Sequence, residues 1–201
     1  MNEGFRWNFD DLVEMAVTGQ VSQPAVRRGG YVHWPDGVGE VLPGMYGITY
    51  NARVGDRAFG WAGDHVEPGV SIANPNELAD YALHYLTCIG NEAEVVTGLA
   101  KGAKGVVTGE HARLLVDFTP DVLDEMTVGD TIQIRTRGRG LRLESHPDIE
   151  FKKMSPALAR ALGLRVEDGR VSCPVAMELP PRIMGSGAEL NAEFVDQDLM
   201  S

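Results

Sequence analysis

Cysteine, basic side chains and long apolar runs are all scarce in this chain, and each shortage excludes a class of protein. Only two of the 201 residues are cysteines, Cys88 and Cys173, too few for the disulfide framework of small secreted domains. Both lie in apolar stretches, and we expect both to be buried free thiols. No apolar run approaches the roughly 20 residues that a membrane-spanning helix needs. Residues 1–7 lack the basic and apolar blocks of a secretory signal, so we expect a cytoplasmic protein with no membrane partner.

Lysine and arginine are outnumbered by acidic side chains, 18 against 29, which gives a net charge of −11. Nucleic-acid binding depends largely on cationic side chains that neutralise phosphates, so this balance argues against nucleic acid as the main partner. One basic cluster stands out among glycines and consists of Arg135, Arg137, Arg139 and Arg142. Alternate spacing would place several guanidinium groups on one face of a hairpin, although a solvated strand face is the simpler interpretation.

Glycine is abundant, with 24 residues beside 11 prolines, and it separates short β-branched runs. This pattern is typical of short strands joined by tight turns. Three consecutive runs, at 94–98, 105–109 and 113–118, predict a meander, and further strands are predicted at 131–135, 141–143 and 171–175. Strands and helices do not alternate regularly, which argues against a doubly wound parallel sheet. The predicted fold class is α+β, predominantly antiparallel β, with a small barrel or meander and three or four short helices.

Helix starts are marked by proline that follows a capping residue. Asn74 is predicted to cap a helix that has Pro75 in its first turn and runs to about Cys88. The same device at 119–120 and 155–156 predicts shorter helices at 121–126 and 157–162, and a fourth helix is predicted from Asp10 to about Val17.

We divide the chain into three parts by their composition. Residues 1–75 form a loop-rich N-terminal region that packs on the same core, residues 76–187 form the β-rich body, and residues 188–201 form an acidic tail. Long irregular stretches inside a compact domain are usually functional or disordered, and we expect the first region to be ordered and to shape a pocket. The tail is expected to be extended or dependent on a partner.

The segment 60–71 carries the densest group of residues suited to catalysis. Asp64, His65 and Glu67 supply two carboxylates and an imidazole, which are ligands for a divalent metal ion and also serve as acid and base. A turn at Gly63 or Pro68 would bring the three side chains together. The alternatives are a turn capped by Asp64 and an exposed pair of His65 and Glu67 on a loop. No recognised zinc spacing is present.

Asn51, Arg53 and Asp56 lie just upstream and are the predicted substrate-binding residues. Arginine can grip a carboxylate through two parallel hydrogen bonds, and an asparagine nearby suits a carboxylate or amide group. The structural alternative is a surface salt bridge between Arg53 and Asp56, which would stabilise little. The remaining histidines, at positions 33, 84, 111 and 146, have no partner in local sequence and are expected to be structural or exposed.

Several of these segments resemble a family of bacterial and archaeal proteins described as domain of unknown function 4438. The similarity covers residues 46–187 and lies in segments 47–51, 53–56, 60–61, 64–71, 88–92, 100–109 and 183–187. The resemblance implies no particular activity. Relatives continue beyond the position of Ser201 into a further segment that contains glycine and histidine, so we expect either a missing C-terminal portion or a partner chain that supplies it.

Two hypotheses about function follow. The first is an enzyme, such as a metal-assisted hydrolase or lyase, that acts on a small polar metabolite. The second is a non-catalytic ligand-binding or structural subunit of a homo- or hetero-oligomer, whose glycine-rich loops pack against another chain.

Overall fold

The computed structural model of the chain describes residues 5–23, 25–26, 31–33, 35–41, 48–51, 65–67, 69–111, 113–167 and 170–175. In these ranges no helix combines the length and the apolar character needed to cross a membrane.

Six strands close into an antiparallel barrel. They are β1 (Met15–Val21), β7 (Val70–Ala73), β8 (Glu92–Val95), β9 (Lys104–His111), β10 (Arg113–Asp117) and β11 (Thr131–Thr136). Around the ring they follow the order β1, β11, β8, β9, β10 and β7, and β7 pairs with β1 to close it. β8, β9 and β10 are consecutive neighbours, which confirms the predicted meander. The barrel confirms the predicted class, mostly antiparallel β with some helix.

Side chains that alternate along the strands fill the barrel. Ile132 and Ile134 on β11 are fully buried, while the side chain of Arg135 on the same strand is exposed to solvent. The two-residue period places every second side chain inside, as strand geometry requires. The same pattern holds for the other buried strand residues, namely Val70, Ile72, Ala93, Val95, Leu114 and Val116.

The described chain also contains three short α-helices and a 3₁₀ turn. These are the 3₁₀ turn at Phe9–Asp11, α1 (Glu77–Leu86), α2 (Pro120–Glu125) and α3 (Pro156–Ala161). The helices α2 and α3 begin at the predicted prolines, and the Ser155 hydroxyl caps α3 by accepting from the Leu158 N–H. One face of α1 packs on the barrel through Leu83, which is fully buried in the main core.

Smaller elements complete the described fold. β2 (Ala25–Val26), β5 (Ile48–Asn51) and β6 (His65–Glu67) form one sheet, β3 (Tyr31–His33) and β4 (Gly39–Val41) form a second, and β12 (Arg165–Glu167) and β13 (Arg170–Ser172) form a third. A separate apolar cluster built on Leu12, Leu141 and Ala159 joins the N-terminal residues to α3.

The helix predicted from Asp10 to about Val17 is wrong. The chain makes only the 3₁₀ turn and then enters β1 at Met15, which pairs with β11 from Met15↔Thr136 to Gln20↔Thr131. Hydrogen bonds and burial in a closed barrel outweigh the weak local helix preference of this segment. Gly19 fits here because a Cβ atom at that position would lie 2.9 Å from the side chains of Ile72 and Leu83.

Two smaller predictions also need correction. Asn76, not Asn74, caps α1 by accepting from the Ala79 N–H, while the Asn74 side chain accepts from the Asn76 N–H and donates to the Thr18 carbonyl. Asn74 therefore forms the turn before the helix and ties it to β1. Cys173 is exposed because it follows a two-stranded hairpin at the surface, whereas Cys88 is buried as expected.

Candidate functional site

The predicted catalytic segment forms a strand beside the predicted substrate-binding segment. β5 and β6 pair in parallel, with Asn51 opposite Glu67 and Thr49 opposite His65. Paired strands lie about 4.8 Å apart, so residues 16 positions apart in sequence have adjacent backbones. For Asn51, His65 and Glu67 the description covers the backbone, while Asp64, Arg53 and Asp56 lie outside the described residues. Convergence of the six side chains stays a prediction.

A metal site at Asp64, His65 and Glu67 also stays a prediction. Among the side chains that the structure describes, no group of three or more His, Cys, Asp or Glu residues has an arrangement that could hold a metal ion.

Three charged or ionisable side chains meet below the surface where α1, the end of β9 and the segment before α3 come together. The Nδ1 atom of His84 lies 2.7 Å from Oε1 of Glu110, and the Lys153 ammonium donates to the other carboxylate oxygen of Glu110. Lys153 also donates to the carbonyl of His84, at 2.9 Å. The side chains of Glu110 and Lys153 are only 8% and 9% exposed, so this is a buried ion pair with an imidazole attached.

The hydrogen-bond pattern fixes the orientation of the His84 ring. A carboxylate only accepts hydrogen bonds, so Nδ1 carries the proton that His84 shares with Glu110. Nε2 faces Asp80 one helical turn back, at 3.8 Å, and Asp80 in turn accepts from the backbone N–H of Asn74. Lys153 adopts a left-handed backbone conformation with φ of 44°, which is uncommon for a residue with a Cβ atom. The cluster holds three distant segments together, and we interpret it as structural.

The ionisation of Glu110 follows from these contacts. Burial would raise the pKa of its carboxyl group, but hydrogen bonds from His84 and Lys153, together with the Lys153 charge, outweigh burial and hold the pKa below its usual value of 4.5.

Cys88 shows the opposite result. Burial raises the pKa of its thiol to about 11 against the opposing charges of Arg139 and Lys153, so the thiol is protonated at neutral pH and is a poor nucleophile.

The lowered pKa of Glu110 predicts an acid-dependent loss of stability. A carboxyl group with a lower pKa in the folded state stabilises the fold above the unfolded value and loses that contribution as the pH falls through the folded value. We expect the free energy of unfolding of the wild type to fall more steeply below about pH 4.5 than that of Glu110→Gln. Urea unfolding at a series of pH values measures these free energies. Glu125→Gln, at an exposed residue of α2, is the matched control. Parallel curves for the wild type and Glu110→Gln would contradict it.

A cleft of about 290 Å³ lies between the start of β1, the end of α1 and the segment that follows β11. Its lining combines apolar side chains with both signs of charge, and comprises Asp11, Val13, Met15, Leu86, Thr136, Arg137, Gly138 and Arg139. Arg137 is half-buried, and its Nη2 atom donates to the Phe9 carbonyl at 2.5 Å. The guanidinium carbon of Arg139 lies 4.1 Å from the centre of the Tyr85 ring, a cation–π contact.

The arginine cluster seen in the sequence is therefore split in the fold. Arg135 and Arg142 are exposed, as the simpler interpretation expects, whereas Arg137 and Arg139 turn toward the cleft. Gly138 makes this turn, with φ of 148°, and a Cβ atom there would lie 2.4 Å from the Met154 carbonyl oxygen. In the sequence, the alternation of arginine and glycine marks this segment as unusual. It does not show that β11 ends at Thr136, and so it does not show which arginines leave the strand.

Comparison with known proteins confirms the family resemblance. The crystal structure of TM1086 matches with a TM-score of 0.71 and 43% sequence identity, over 90% of this chain and 65% of that chain. The chain therefore spans slightly less than two thirds of the TM1086 chain. Comparison with curated proteins found no match. A family model matches residues 31–160, and on this evidence the chain belongs to the family described as "Domain of unknown function (DUF4438), N-terminal".

Proposed function

We propose that the protein is an enzyme that acts on a small polar metabolite, with its site along the paired strands β5 and β6. The observation that carries this proposal is the parallel register that sets Asn51 opposite Glu67. It places the segment predicted to bind substrate directly beside the segment predicted to carry out catalysis. Two segments that share a site must lie close together, and this register supports that proximity.

The residues divide into two roles in this proposal. Asp64, His65 and Glu67 hold a divalent metal ion or act as acid and base, in a hydrolysis or elimination reaction. Asn51, Arg53 and Asp56 bind the polar groups of the substrate and orient it. A divalent metal held there would polarise a carbonyl group or activate a water molecule. Of these residues, Asn51, His65 and Glu67 lie on the paired strands, and strands position side chains more rigidly than loops do.

The segment 64–67 is tested through metal content and metal affinity. His65→Ala and Glu67→Gln are expected to lower the metal-to-protein ratio of chain purified without added metal, and to weaken binding of Zn²⁺ or Mn²⁺ by at least ~10-fold each. Elemental analysis measures the ratio, and isothermal titration calorimetry of the metal-stripped chain measures the affinity.

The control variant is Glu125→Gln, which removes the same charge from the exposed end of α2. It should leave both measurements unchanged. Metal content and affinity that are identical in the wild type, His65→Ala and Glu67→Gln would overturn the metal role. Unchanged affinity for every small metabolite tested would then leave no support for a catalytic role of this segment.

A second candidate is a subunit of an oligomer, in which another chain or a second copy completes the fold. Part of α1 supports it, because Leu78, Tyr81 and Tyr85 are large apolar or aromatic side chains exposed on one short helix. Such a patch often marks an interaction surface. Sedimentation velocity of the purified chain over a range of concentrations tests this candidate, and a monomer at every concentration would oppose self-association.

A further inference from the structure

We propose that the cleft beside β1 binds a small zwitterion, an α-amino acid with an apolar side chain. Arg137 would receive the carboxylate, Asp11 would receive the ammonium group, and the apolar wall would cover the side chain. This inference concerns the cleft alone and does not depend on the site proposed at β5 and β6.

The case for a carboxylate rests on the charge of Arg137. Its Nη2 atom donates to the Phe9 carbonyl, which is a neutral group. In the described part of the chain, Arg137 has no carboxylate within ion-pairing distance. A half-buried cation without a counter-ion costs free energy. A carboxylate bound in the cleft would supply that counter-ion, since arginine binds carboxylates through its N–H donors.

The case for an ammonium group rests on Asp11 and on the charge of the protein. Asp11 is exposed at the edge of the same cleft, where it would repel the second carboxylate of a dianion. The net charge of −11 also disfavours strongly anionic ligands. A zwitterion is neutral overall and can match an arginine and an aspartate at once.

The case for an apolar side chain and for its size rests on the remaining lining. Val13 is 69% exposed and Met15 is 42% exposed, and with Leu86 they form the apolar wall of the cleft. A volume of about 290 Å³ lies at the small end of ligand pockets, which run from roughly 300 to 1,000 Å³. It suits a single amino acid and is small for a nucleotide.

The arginine side of the cleft is held in place before any ligand binds. Gly138 is packed so closely against Met154 and Cys88 that a Cβ atom would lie 2.4 Å from the carbonyl oxygen and 2.8 Å from the sulfur. Arg137 is tied to Phe9, and Arg139 lies over Tyr85. Preorganised groups lose less entropy on binding, which favours recognition by so few contacts.

Isothermal titration calorimetry with three probes tests the proposal. L-leucine carries both charges, 4-methylpentanoate lacks the ammonium group, and 3-methylbutylamine lacks the carboxylate. We expect L-leucine to bind the wild type and each of the other two to bind at least ~10-fold more weakly. No heat of binding with L-leucine up to about 10 mM would overturn the proposal, and equal affinity for 4-methylpentanoate would overturn the role of Asp11.

Single substitutions in the cleft show where L-leucine binds. Asp11→Asn and Arg137→Gln should each weaken L-leucine binding by at least ~10-fold. Asp10→Asn on the same 3₁₀ turn and Arg135→Gln, at an exposed position of β11, are matched controls that should bind as the wild type does. Circular dichroism checks the fold of Arg137→Gln, and Asp11→Asn carries the test alone if that variant unfolds. Binding that is unchanged in Asp11→Asn would place L-leucine elsewhere and refute the assignment.

Discussion

A Glu110→Ala variant is expected to lose about 3–5 kcal/mol of unfolding free energy, because it removes the carboxylate that forms a buried ion pair with Lys153. Both side chains are almost fully covered, at 8% and 9% exposure, so water cannot replace the lost carboxylate at low cost. The variant also removes the acceptor for His84 Nδ1. Three segments lose a common anchor at once, and equilibrium unfolding in urea measures the loss.

Two further variants show whether the buried charge is the cause. Replacing the pair together, as Glu110→Leu with Lys153→Met, should recover much of the stability, because no unpaired charge is left inside. Glu94→Ala removes one of the two carboxylates that pair with exposed Lys104, the other being that of Glu92. It should have a much smaller effect because water solvates a surface lysine. If Glu94→Ala and Glu110→Ala are equally destabilising, burial of the pair is not the reason for its effect.

The second large effect is expected at Leu83, whose replacement by alanine should cost about 2–5 kcal/mol of unfolding free energy. Leu83 is fully buried in the main core. It fills the space above Gly19, where a Cβ atom would lie 2.9 Å from its Cδ2 atom. Truncation would leave a cavity between α1 and β1 that the closed barrel cannot collapse to fill, because its strands are hydrogen bonded on both sides.

Leu78→Ala is the matched control on the same helix. Leu78 is 78% exposed, so its truncation should change the unfolding free energy by no more than about 0.5 kcal/mol. Chemical denaturation of both variants gives the comparison. A Leu83→Ala variant as stable as Leu78→Ala would show that α1 contributes little to the stability of the core.

The sequence predicted those elements whose signals are local. Proline after a capping residue marks α2 and α3, and β-branched runs between glycines mark β8, β9 and β10. The local pattern at the start of β1 predicts a helix, but the segment forms a strand because it pairs with β11, more than 100 residues later. Propensity is a weak guide when distant hydrogen bonds and burial decide the outcome.

The candidate site and the buried charged cluster show the same limit: contacts between distant residues cannot be read from local sequence. The segment 64–67 stands out in the sequence because its donors are neighbours, but no pattern in the sequence indicates that β6 pairs with β5. His84, Glu110 and Lys153 come together over a sequence separation of 69 residues. The local pair of His84 with Asp80 on α1 does not point to the other two residues. The left-handed backbone of Lys153 has no signature in the sequence.

The barrel cannot be completed until its last strand has been made. Met15 on β1 bonds to Thr136 on β11 across 121 residues of chain, so the strand that leaves the ribosome first waits for the one that leaves last. Contacts between such distant positions close large loops and slow folding. Until then the nascent sheet has open edges on both sides of the gap, and open edges can recruit other chains. Solubility during synthesis therefore depends on how that gap is protected.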